Sequence, residues 1–125
     1  MEESEVYAAV GETGFRDLVA NFYRRVPADT VLGPMYQGRD MSAAEDRLRG
    51  FLIYRFGGPV EYIEQRGHPR LRMRHAPFAV NAEARDHWLA LMTSALAETS
   101  LPEEAKSVLA AFFHSTADFL INRPA

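Results

Sequence analysis

From Phe15 to Val26, the residues Phe15, Leu18, Val19, Phe22, Tyr23 and Val26 recur at intervals of three and four, and Pro27 stops the series. That spacing lines one face of an α-helix and ends where continuation would lose a backbone hydrogen bond. Nowhere does the sequence alternate apolar and polar residues as a half-buried strand does. Such a chain can bury its apolar stripes only by packing helix on helix. The fold class is therefore read as all-α, with four principal helices and a less regular middle.

The other boundaries follow from helix punctuation. A loop containing Gly33, Pro34 and Gly38 carries Tyr36. Ser42 and Glu45 have capping-box spacing and open a helix with Ala44, Leu48, Phe51, Leu52 and Phe56 inward, stopped by Gly57-Gly58-Pro59. Val60 to Gln65 reads as a short helix, broken at Gly67-His68-Pro69, with one turn from Met73 to His75. Asn81 is the expected N-cap of a helix that turns Trp88, Leu91, Met92 and Ala95 inward. Ser100 and Glu103 repeat the capping-box spacing, with Pro102 between them. They precede a last helix whose stripe is Val108, Leu109, Phe112, Thr116, Phe119 and Leu120.

At 125 residues the chain suits a single domain, 1–125, with no repeat or linker. A net charge of −3 leaves no footprint for nucleic acid or an anionic membrane, and no apolar run reaches membrane-spanning length. The absence of cysteine excludes disulfides, thiolate metal sites and cysteine nucleophiles. The acidic opening MEESEV lacks a signal pattern, so the default location is cytoplasmic.

Candidate chemistry begins with four histidines, none at the spacing of a two-histidine helical metal motif. His68 sits in a Gly-His-Pro turn, His87 falls off the inner face of its helix and reads as solvated, and His114 lies beside Phe113. His75 differs. In LRMRHAPF it stands among Leu71, Met73, Phe78 and Val80, with Arg70, Arg72 and Arg74 interleaved. An imidazole over an apolar slot rimmed by cations suits a haem, whose iron takes a nitrogen, whose faces want apolar walls and whose propionates want cations. The same arginines also fit a solvated basic loop on a haem-free helical interaction module or small-molecule regulator. Tyr23, Tyr36 and Trp88 divide in the same way. They are either donors aimed at a polarised ligand or packing residues with their tips at the surface.

Taken together, RGHPRLRMRHAPF (66–78), RDHWL (85–89), NFYRRV (21–26), AAEDRLRGFL (43–52) and GGP (57–59) resemble the truncated haemoglobins, and more narrowly their second group. The resemblance runs from about Tyr7 to Ile121 and implies a two-over-two helical sandwich enclosing one haem b (iron protoporphyrin IX). By matching motif, His75 would be the proximal iron ligand, and Tyr23, Tyr36 and Trp88 the distal groups. Ala44 falls where many globins carry a distal histidine. Leu48, Phe51 and Leu52 would line the distal wall; Tyr62, Leu71, Phe78, Val80 and Met92 would complete the pocket. Arg47, Arg72 and Arg74 would meet the propionates. The implied ligands are dioxygen, carbon monoxide, nitric oxide and peroxide, with a reductase as partner and a monomer or homodimer as the working form. Three convergent donors would slow dioxygen release, which favours nitric oxide dioxygenation or peroxidase-like chemistry over bulk transport.

Overall fold

The computed structural model describes residues 1–59 and 80–122, and all regular structure among them is helical. Helix α1 spans Val6–Arg25 and α2 Leu32–Tyr36; α3 covers Met41–Arg55, α4 Ala82–Glu98 and α5 Glu103–Phe119. None of these helices is long and apolar enough to cross a membrane. The short helix expected at Val60–Gln65 and the turn at Met73–His75 lie outside the described residues.

In α1 the expected stripe is buried: Phe15, Leu18, Val19, Phe22 and Tyr23 all face inward. The helix bends at Gly11 (φ 73°, ψ 171°), a backbone state that side chains rarely allow. Pro27 falls in a 3-10 turn, Val26–Ala28, that follows α1 directly. Beyond it, α2 replaces the expected loop. The helix forms because the Asp29 carboxylate accepts from the backbone N–H groups of Val31 (3.0 Å) and Leu32 (2.8 Å). Gly33 lets the turn close: a Cβ there would lie 2.9 Å from the Pro27 carbonyl oxygen.

Two capping expectations are corrected. Asp40, not Ser42, caps α3, its carboxylate accepting from the Ala43 N–H at 3.1 Å, so the helix starts one residue before Ser42 and the Ser42–Glu45 box is not used. Helix α5 starts after Pro102 with no side-chain cap, and Glu103 and Glu104 oppose the helix dipole instead. Asn81 does cap α4, accepting from the Ala84 N–H at 2.9 Å. Helix α3 ends as expected, with Gly57 at φ 93°. On α5 the buried stripe is Ala105, Leu109, Phe113 and Ala117. Phe119, expected inside, is 55% exposed, because two residues past Ala117 the helix has turned by roughly 200°.

Helix α1 packs against both α3 and α4, and α4 against α5. Between them lie the fully buried side chains Phe15, Phe22, Leu52, Phe56, Met92 and Leu109. Each contributes about 1.5–3 kcal/mol by leaving water. Two further links fix the edges. The Tyr7 N–H donates to the Phe56 carbonyl (2.9 Å). Asn122 pairs with Val80 twice, donating from its backbone N–H (2.8 Å) and accepting on its side-chain oxygen (3.0 Å).

Candidate functional site

The C-terminal part of α1, with α2, α3, α4 and α5, encloses a pocket whose walls are mostly apolar. Leu32 and Met35 come from α2, Leu48, Phe51 and Leu52 from α3, and Phe112 and Phe113 from α5. Ala44 also lines it, and its methyl group leaves that stretch of wall open for a ligand. Arg47 and Arg85 supply positive charge among the lining residues. Arg47 is exposed, whereas Arg85 is engaged by Asp86 (2.7 Å) and by Asp118.

Besides these arginines and Thr116, three aromatic donors interrupt the apolar wall: Tyr23 of α1, Tyr36 of α2 and Trp88 of α4. The tyrosine rings meet edge to face, centroids 5.8 Å apart at 81°. Their hydroxyls are hydrogen-bonded, with Tyr23 donating to the Tyr36 oxygen. Burial first, and then the neighbouring Tyr36, push the Tyr23 phenol far above its usual value. Burial likewise raises Tyr36, outweighing the hydrogen bond from Tyr23 and the positive charges of Arg47 and Arg39. Both phenols therefore stay protonated, as hydrogen-bond donors must. Trp88 lies between Phe22 (5.3 Å) and Phe113 (5.6 Å), and among the described residues its indole N–H has no hydrogen-bond partner.

His87 was expected to be solvated. Instead its Nδ1 lies 3.0 Å from both carboxylate oxygens of Asp29, with the imidazole 34% and the carboxylate 12% exposed. Burial alone would raise the Asp29 pKa. The Leu32 N–H, the His87 ring and the Val31 N–H outweigh it and hold Asp29 below the ordinary carboxylate range. An ionised carboxylate only accepts hydrogen bonds, so Nδ1 carries the hydrogen. The pairing was hidden because the partners are 58 residues apart.

The pattern of the bacterial-like globins matches residues 5–122, nearly the whole chain. The chain belongs to that family, among the group II truncated haemoglobins. A group 2 truncated haemoglobin of Bacillus subtilis is 35% identical over 117 residues, covering 94% of this chain and 88% of that protein. The crystal structure of a thermostable haemoglobin from Thermobifida fusca superposes with a TM-score of 0.90 at 45% identity, covering 96% of this chain and 98% of that one. The truncated oxygen-avid haemoglobin of B. subtilis gives a TM-score of 0.88 at 35% identity, covering 94% and 98%. The all-α architecture is that of these truncated globins.

Several residues singled out in the globin sequence meet in one pocket. Tyr23, Tyr36 and Trp88 share it with Leu48, Phe51 and Leu52, and Ala44, Arg47 and Val80 also line it. Met92 does not; it is 1% exposed in the core of α4, one helical turn past Trp88. Tyr62, Leu71, Arg72, Arg74, His75 and Phe78 lie outside the described residues. Sequence reasoning missed Leu32 and Met35, because α2 is too short to show a period. It also missed Phe113 and Ala117, because the stripe on α5 was set one position off. Arg85 was missed too; only its place one turn before Trp88 could have drawn attention to it.

The pocket suits a haem by its chemistry. It has extended apolar walls, neutral donors grouped where α1, α2 and α4 meet, and a cation, Arg47, at an exposed position. Neither described histidine lines it: His87 turns to Asp29 and His114 is exposed. Among the described residues no cluster of His, Asp and Glu could hold a bare metal ion.

Proposed function

We propose that this truncated globin holds one haem b in the pocket, with His75 as the iron's protein ligand, and binds dioxygen, carbon monoxide and nitric oxide on the side of Tyr23, Tyr36 and Trp88. The carrying observation is that these three donors share one pocket whose remaining lining is apolar apart from Arg47, Arg85 and Thr116. When bound, haem supplies an iron with one position open to a diatomic ligand. The chain supplies the rest. Trp88 brings an indole N–H with no partner among the described residues, and Tyr36 brings a phenol kept protonated by burial. Tyr23 donates to the Tyr36 oxygen and so orients it. Arg47, with Arg72 and Arg74, would meet the propionates.

Each hydrogen bond to a partly charged ligand oxygen contributes roughly 1.5–3 kcal/mol. At about 1.4 kcal/mol per factor of ten, one such bond slows ligand escape by one to two orders of magnitude. Slow release is a poor basis for transport. We therefore assign a redox role, nitric oxide dioxygenation or peroxide reduction, served by a separate reductase. The oxygen-avid character of the B. subtilis relative supports slow release.

Absorption spectra of the purified chain in the ferric, reduced and carbon monoxide-treated forms test this directly. A haem band that shifts at each step is expected; a chain that stays colourless and takes up no added haemin would sink the reading. Trp88→Phe should speed dioxygen dissociation at least tenfold. His75→Ala should lose stable haem, and an unaltered ferrous spectrum would show that another residue holds the iron.

A further inference from the structure

We infer that Asp29 and His87 are positioning residues for the ligand-binding side of the pocket, tying α2, and Tyr36 with it, to the helix that carries Trp88. As far as it concerns ligand release, this rests on the haem reading above.

A helix of five residues has no stability of its own. Besides the burial of Leu32, one carboxylate organises its start. Asp29 accepts the N–H groups of Val31 and Leu32 at the start of α2, while its backbone oxygen accepts the Gly33 N–H at 3.0 Å. The same carboxylate accepts from His87 Nδ1 on α4, next in sequence to Trp88. The carboxylate is 12% exposed and the imidazole 34%, so the contact lies at the edge of the packed helices rather than free on the surface. His87 does not line the pocket, so it can influence a ligand there only through what it holds in place. Hydrogen bonds weaken steeply with distance and angle. A small slide of α2 against α4 would therefore misalign Tyr36 relative to Trp88 without emptying the pocket.

The test uses the haem-loaded, full-length chain with His87→Ala and His87→Asn, the latter because its amide nitrogen takes nearly the place of Nδ1 and restores the donor. His87→Ala should raise amide hydrogen exchange across 31–36 and the dioxygen dissociation rate together, each roughly three- to tenfold. The carbon–oxygen stretching frequency of its carbon monoxide complex should also shift. Haem content should not change. His87→Asn should stay within about twofold of the parent. In a Tyr36→Phe background, His87→Ala should add less than about a factor of two, since the pair acts through Tyr36.

Unchanged dissociation in haem-loaded His87→Ala would overturn the inference. So would a full acceleration that persists without the Tyr36 hydroxyl. A parent chain that takes up no haem is a separate failure: it overturns the haem reading, and the effect on ligand release falls with it.

Discussion

Tyr23 and Tyr36 face the same pocket and touch each other, yet the first helix and the short second helix hold them by different physics. Tyr23 stands on a 20-residue helix whose inner face, including Phe15, Leu18 and Phe22, is fully buried. Its position is set by close packing, which is insensitive to pH and salt. Tyr36 stands on five residues organised around a single carboxylate and its imidazole partner. Beyond its packing on Tyr23, its position depends on directional bonds to a charge, which protonation can abolish. A pocket can thus combine one donor that barely moves with one that is adjustable.

The largest effect expected from breaking this contrast is on the packed side. Phe22→Ala should cost about 3–5 kcal/mol, read as a lower urea midpoint with an unchanged slope. It should loosen the whole core, α2 included. Alkali probes both tyrosines at once. Their folded pKa values are raised, so the stability they confer is complete below the unfolded value of about 10. It falls as pH climbs above that value, by up to about 1.4 kcal/mol per unit for each phenol. Tyr23→Phe should remove its share of that slope in pH-dependent unfolding.

Asp29→Ala should cost about 1–2 kcal/mol as a lost cap, with hydrogen exchange rising across 31–36 while 15–23 in α1 stays protected. Equal loss of protection in both helices would erase the distinction between the two regions. The smallest effect is acid lability. The folded Asp29 pKa is depressed, so its stabilisation is complete above the unfolded value near 3.9 and is lost as pH falls through the folded one. Unfolding midpoints below pH 4 should decline less steeply in Asp29→Asn, which keeps a capping oxygen but has no charge to lose.

The same contrast explains what the sequence revealed. Phe15 to Tyr23, Ala44 to Leu52 and Trp88 were legible because long helices repeat every 3.6 residues, and a period fixes which face is inside. The family motifs then assigned chemistry to Tyr23, Tyr36 and Trp88. Local punctuation was less legible. Asp40 and Ser42 are both good capping residues two positions apart, and their residue types alone do not tell which one caps the helix. The role of His87 was illegible for a different reason: it consists of a contact with a residue 58 positions away that lies on no shared period.

The paired hydrogen bonds between Val80 and Asn122 close residues 80–122, with α4 and α5 inside, into a loop fastened at its two ends like a clasp. The clasp is made by one asparagine, using both its main chain and its side chain. Trimming the chain back to Ile121 would therefore release both bonds at one stroke and leave the entry to α4 unfastened.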